Sequence, residues 1–301
     1  MGRGHPECPQ RLDAIEDRML ASQLLDAVER REAPLASTDI LELAHDRMHV
    51  AAMRGLAEEL REQEDAGGMD HMHIDPDTSM NRHTWNAVLR GAGAAIAATD
   101  AVIAGELENA FCAVRPPGHH ATRTRAMGFC IINNVAVAAR YALDRHGLKR
   151  VAVVDFDVHH GNGTEDILSG DERVLMVGIF QHPFYPYSGF DTHADNMVNV
   201  PVPAYTRGPA IRELIEKNWL PRLEAFQPEM IFVSAGFDAH REDDLGQLGL
   251  VEADYAWITR QIRQVAQHHA QGRIVSCLEG GYNLDALGRS VEAHVRALAD
   301  V

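Results

Sequence analysis

The stretch VAVVDFDVHHGNG, residues 151–163, decides how this chain folds. It opens as an unbroken apolar run, the pattern of a strand buried on both faces of a parallel sheet. It closes by crowding Asp155, Asp157, His159 and His160 together. In an open parallel sheet ligands bind beyond the carboxyl ends of the strands, so acids and imidazoles at that end mark a site. Side chains alternate along a strand, so Asp155, Asp157 and His159 share one side and the apolar residues between them face the other.

Working outward, four more apolar runs have strand character: AFCAV (110–114), VLMVGIF (174–180), MIFVSAG (230–236) and RIVSCL (273–278). Amphipathic segments near 85–104, 134–146, 209–225, 253–270 and 284–299 have helical spacing. The alternation predicts βαβ units, an α/β fold whose mostly parallel sheet carries helices on both faces. No repeat, low-complexity block or linker divides the chain, which reads as one domain over 1–301. Segments 61–84 and 181–208 read as long loops rich in Gly, Pro, Asp and aromatics, suited to the rim of a site.

At 301 residues and 46% hydrophobic content the chain can bury a large core. Its 28 Lys and Arg against 44 Asp and Glu give a formal charge of −16, a surface that repels nucleic acid, favours cationic partners at long range and keeps the protein dispersed. Apolar stretches fall short of the roughly 18 residues of a membrane span, and no signal peptide is evident, so the expectation is a cytoplasmic protein. Cys8, Cys112, Cys130 and Cys277 are scattered and read as ordinary buried thiols. Of the 17 histidines most read as surface residues, and MDHMH (69–73) is too short and loop-like for a metal site.

The strand endings agree with one another. AFCAV runs into RPPGHH with His119 and His120, MIFVSAG into FDAH with Asp238, and RIVSCL into EGGYN with Tyr282. Asp157, His159 and Asp238 make a set of two carboxylates and one imidazole that suits a catalytic Zn²⁺ with a position left for water, and equally Fe²⁺, Co²⁺ or Mn²⁺. A single Asp-x-His pair is also what a helix cap or hydrogen-bonded turn looks like; the other loaded strand ends favour the metal. RPPG presents two imidazoles rigidly, and one of them near neutrality can take a proton and return it to a leaving amine, with Asp155 orienting a ring. Tyr282 can aim a phenol at a developing oxyanion. Phe129, Phe184 and Tyr185 either line a narrow apolar channel or pack in the core.

RPPGHHA (115–121), GFCIINN (128–134), DFDVHHGNGT (155–164), SAGFDAH (234–240) and EGGYN (279–283) follow in the order seen in one family. From GHPECPQRL (4–12) to its C-terminus the chain resembles the histone deacetylase and acetylpolyamine amidohydrolase superfamily, in the bacterial form similar to class II deacetylases. The resemblance implies an arginase/deacetylase fold with a parallel sheet of about eight strands, and hydrolysis of an N-acetyl amide, above all of acyl-lysine, to acetate and a free amine. It implies Asp157, His159 and Asp238 as Zn²⁺ ligands, His120 as general base and then acid, Tyr282 as carbonyl polariser, and His119 as the partner imidazole held by Asp155. It places Asn162 behind the second histidine, the class II pattern. Phe129 and Tyr185 become the walls that grip the lysine methylenes, with Gly128 at the tunnel's floor side, Asp77 accepting from the substrate backbone at the rim, and Arg11 near an inner cavity through which acetate leaves.

Some positions depart from the family pattern. Leu245 falls where polyamine-specific members place a gatekeeper acid, which favours acyl-lysine over acetylated polyamines; bacterial polyamine enzymes also narrow the pocket through homo-oligomer contacts. Gly178 stands where relatives carry a serine at a structural K⁺ site, so that ion would rest on Asp155 and backbone carbonyls with one donor fewer. Asp244 replaces a common proline. A strand usually precedes GHPE, so either the start is truncated or an edge strand is missing. Alternatives within reach of these residues are an acetylpolyamine amidohydrolase, an arginase-like enzyme with two Mn²⁺, and a non-enzymatic acyl-lysine reader.

Overall fold

Strands form where apolar and β-branched residues are densest, because a sheet covered on both faces buries every side chain. The computed structural model describes residues 1–2, 4–191 and 194–301. Its strands are β1 (His71–His73), β2 (Ser79–Asn81), β3 (Asn109–Cys112), β4 (Val151–Asp155), β5 (Val174–Gln181), β6 (Met197–Val202), β7 (Met230–Ala235) and β8 (Ile274–Leu278). Its helices are α1 (Gln10–Ala21), α2 (Thr38–Leu41), α3 (Arg47–Asp65), α4 (Thr84–Ile103), α5 (Asn134–Asp144), α6 (Asn162–Leu168), α7 (Gly208–Asn218), α8 (Leu220–Phe226), α9 (Glu252–His269) and α10 (Leu284–Ala299).

Six strands pair in parallel in the order β3-β8-β7-β4-β5-β6, and β1 and β2 form a separate antiparallel ribbon. The sheet is thus narrower than the eight strands the family resemblance implies: β3 is its edge, and no strand precedes α1 among the described residues. Strand order runs one way from β4 through β5 to β6 and the other way from β7 through β8 to β3. The switch point therefore lies between β4 and β7, the place where sheets of this kind hold their ligands beyond the strand ends. Register places Asp155 level with Ser234 of β7 and Gly178 of β5.

Alternation along each strand feeds two cores. Ala152, Val154, Leu175, Val177, Ile231 and Val233 pack on one face with α1 and α7 to α10. Val151, Val153, Val174, Met176, Met230 and Phe232 pack on the other with α3, α4 and α5. The β4 ladder ends at Asp155, short of the predicted residue 158, but Phe156 and Val158 stay in the first core. That leaves Asp157 and His159 on the polar side, as the alternation requires.

Three predicted segments divide differently. The helix expected over 209–225 breaks at Trp219 into α7 and α8, because Pro221 fits the first turn of a new helix and cannot continue the old one. The supposed loop at 61–84 contains the end of α3 and the ribbon. The supposed loop at 181–208 contains β6, an edge strand that accommodates Pro201.

Candidate active site

Asp157, His159 and Asp238 come together beyond the β4 and β7 ends, with one donor atom from each within 4.8 Å of the others. His159 Nδ1 lies 3.0 Å from Asp157 Oδ1 and 3.2 Å from Asp238 Oδ2. Backbone donors fix both acids: Gly280 N–H donates to Asp157 Oδ2 and Val158 N–H to Asp238 Oδ1. A Cβ on Gly280 would lie 2.0 Å from Asp238 Oδ2 and 2.6 Å from Asp157 Oδ2, so only glycine lets the EGGYN backbone approach the acids this closely.

Two oxygens and a nitrogen at these spacings fit Zn²⁺ or a similar divalent ion. Asp238 Oδ2 is buried without a hydrogen-bond partner, the state of an oxygen that has a cation to meet. The electrostatics say the same. Burial opposes charge on His159, but its contacts with Asp157 and Asp238 raise its pKa to about 10. Burial, reinforced by the charge of Asp157, pushes the Asp238 carboxyl up to about 7. Two buried acids this close demand positive charge between them.

The adjacent histidines sit in unlike environments. His119 Nδ1 donates to Asp155 Oδ2 over 3.0 Å, and His120 Nδ1 to Asn162 Oδ1 over 2.7 Å, with ring centroids 4.0 Å apart. Burial works against charge on His119, but Asp157 and Asp155 outweigh it and hold its pKa well above the ordinary value. Burial, with the charges of His119 and His159, holds His120 well below it. The adjacent pair therefore offers one imidazolium, His119, and one neutral imidazole, His120, whose Nε2 carries the lone pair.

The half-buried Tyr282 presents its ring edge-on to Phe129 at 5.8 Å and lies under the Arg11 guanidinium at 4.9 Å. Burial pushes its phenol well above the ordinary value, which keeps it a donor at neutral pH. Tyr185 stands edge-on to His120 at 5.3 Å and Phe184 stacks on His159 at 5.4 Å, so the aromatics line the site instead of filling a remote core. Gly128, at φ +56°, has room only for a hydrogen, since a Cβ would meet the His120 ring at 2.4 Å.

The remaining predicted residues divide in two. Arg11 is fully buried and donates to the carbonyls of Gly281 and Glu279, which ties α1 to the strand-end turn. Asp77 is at the rim, where its Oδ1 already accepts from Gly128 N–H and Thr78 O–H. The half-buried Leu245 donates its N–H to Asp243, and Asp244 beside it is exposed. Gly178 pairs with Asp155 and Asn199, and a Cβ there would meet nothing closer than 3.9 Å, so the position has room for a methyl group.

Two acids that sequence reasoning left unassigned hold the site together. Glu279 accepts from Gly118 N–H at 2.6 Å, His119 N–H at 3.0 Å and Ser234 O–H at 3.1 Å, clamping the histidine turn to β7 and β8. Asp243 accepts from the N–H groups of Tyr282 and Asn283 and sets the tyrosine's backbone. Their signal was a carboxylate at a buried strand end and another in an acidic loop, and the donors that matter to the site lie 39 or more residues away in sequence.

Comparison with known proteins agrees with this geometry. The profile of the histone deacetylase domain matches residues 5–298. The histone deacetylase-like amidohydrolase of Pseudomonas aeruginosa is 36% identical over 93% of this chain and 73% of its own length. Type-2 histone deacetylase 2 of Dictyostelium discoideum is 42% identical over 74% of this chain, a match that spans 14% of that much longer protein. The crystal structure of the HDA15 HD domain superposes with a TM-score of 0.89 at 30% identity, covering 100% of this chain and 84% of that one. On the profile match, these identities and the Asp157, His159 and Asp238 cluster, the chain belongs to the histone deacetylase domain family of metal-dependent amidohydrolases.

Proposed function

We propose that this protein is a Zn²⁺-dependent deacetylase that hydrolyses N-acyl-lysine amides to the free amine and a carboxylate. The observation that carries the reading is the placement of a neutral imidazole, a protonated phenol and a convergent two-acid, one-imidazole cluster around a single crevice. Asp157, His159 and Asp238 would hold the ion, and Fe²⁺ or Co²⁺ suits the same donors. When bound, it supplies Lewis acidity toward the amide carbonyl and acidifies water.

The chain's own groups do the rest. His120 Nε2 takes the proton of the attacking water and delivers it to the departing amine nitrogen. Asn162 holds the tautomer that makes this possible, and His119 on Asp155 supplies fixed positive charge beside it. Tyr282 donates to the carbonyl oxygen as negative charge develops there. Phe129 and Tyr185 exclude water from the methylene stem of the substrate, with Gly128 at the floor side, Asp77 at the rim and Arg11 behind the turn. A structural K⁺ would rest on Asp155 and neighbouring carbonyls without a side chain at position 178.

The match over residues 5–298 supports treating 1–301 as one domain. Among the described residues no helix is long and apolar enough to cross a membrane. With the charge of −16 this supports a cytoplasmic enzyme that acts on acyl-lysine proteins and binds no nucleic acid. A homo-oligomer is compatible with that reading.

The second reading is an amidohydrolase for acetylated polyamines or other small N-acyl amines. Leu245 argues against it, since a leucine gives a cationic substrate tail no partner. Turnover of an acetyl-lysine peptide against N-acetylputrescine, with metal content measured on the same sample, tests both. The peptide is the expected substrate; faster turnover of N-acetylputrescine favours the second reading, and turnover of neither overturns both.

A further inference from the structure

A second set of metal donors lies on the surface, remote in sequence from the crevice. Glu224 is on α8, and His268 and His269 close α9. His269 Nε2 is 2.7 Å from Glu224 Oε2, and His268 Nδ1 is 3.4 Å from Glu224 Oε1. One donor from each residue lies within 4.8 Å of the other two, as in the buried cluster. Four-coordinate Zn²⁺ with bonds of about 2.0–2.1 Å sets neighbouring donors roughly 3.3 Å apart. The His268–Glu224 spacing is close to that, the His269–Glu224 pair must open, and the two imidazoles, with ring centroids 6.1 Å apart, must turn toward a common point.

We propose that Glu224, His268 and His269 form a second divalent-metal site of the Zn²⁺ class, with water completing the coordination. The chemistry favours it in two independent ways. Two imidazoles and one carboxylate are a recurrent zinc donor set, and a hard ion such as Mg²⁺ would prefer an all-oxygen site. The histidines also end an 18-residue helix, whose C-terminal carbonyls carry partial negative charge that favours a cation. The ion would bridge α8 and α9, whose contact already forms part of the wall on one face of the sheet. Because His268 and Glu224 are exposed, the ion can exchange with solvent, and the site is structural or regulatory.

Zn²⁺ titration of the full chain against a chromophoric chelator tests this. The wild-type protein should take up one more equivalent than the H268A/H269A double variant, with deacetylase turnover per active-site metal the same in both. E224Q, which preserves shape and removes charge, should weaken that extra equivalent by about tenfold or more. Equal stoichiometry in wild type and double variant would overturn the site, and so would an E224Q variant that binds the extra equivalent as tightly as wild type. The comparison reads a difference in metal count, so it holds whether or not the crevice turns over any substrate.

Discussion

Substituting Gly280 by alanine puts the crevice geometry to a direct test. The new Cβ would stand 2.0 Å from Asp238 Oδ2 and 2.6 Å from Asp157 Oδ2. An unstrained contact is about 3.4 Å, so the Asp238 carboxylate must retreat by roughly 1.4 Å or the EGGYN turn must lift away with the Gly280 N–H that holds Asp157. Metal sites tolerate ligand displacements of about 0.2 Å, so either outcome removes a ligand. The expected loss is at least about 100-fold in Zn²⁺ affinity, or about 2.8 kcal/mol. Gly178→Ala is the matched control, because a Cβ at Gly178 meets nothing closer than 3.9 Å and the substitution should leave affinity unchanged. Chelator competition measures both. A Gly280→Ala protein that binds zinc as tightly as wild type would show that the acids and the turn do not converge as described.

Other expectations concern the groups around that ion. Tyr282→Phe should raise the barrier by about 3 kcal/mol at unchanged metal content, and unaltered kcat would remove the phenol from the reaction. Glu279→Ala strands the Gly118, His119 and Ser234 donors and should cost about 1–3 kcal/mol of stability for each left unpaired, with Glu279→Gln restoring part of it; denaturant midpoints that coincide would refute the clamp. His294 sits between Thr259 and Ser276, and burial lowers its pKa to about 3. Its depressed pKa favours the neutral ring, so its stabilisation is complete above about pH 6.5 and is lost as pH falls toward 3. Relative to His294→Gln, the wild type should therefore lose about 1.6 kcal/mol between pH 6.5 and 5, and a constant difference would contradict the burial argument.

What the sequence made legible follows from what a parallel sheet demands. β4, β5, β7 and β8 are covered on both faces, so they read as continuous apolar runs, and their polar endings stand out as the places where burial stops. Asp157, His159, Asp238 and the histidine pair were legible for that reason. β6 was not, because an edge strand carrying Asn199 and Pro201 has the composition of a loop. The β1–β2 ribbon is three residues a side and mostly polar, too short for any period to register. Glu279 was visible as a letter of EGGYN, but its work is done on backbone donors of Gly118 and His119, 161 and 160 residues away in sequence, which only the folded chain brings near. Asp77 is offered to substrate by the resemblance alone, and what the fold adds is that its Oδ1 accepts from Gly128 and Thr78, contacts that no local pattern announces.

Anomalous diffraction at the zinc edge from crystals of the zinc-loaded protein addresses the account at its centre. A peak is expected about 2.0–2.2 Å from His159 Nδ1 and from one carboxylate oxygen each of Asp157 and Asp238. Zinc-loaded, catalytically active crystals with no peak among those three residues would contradict it.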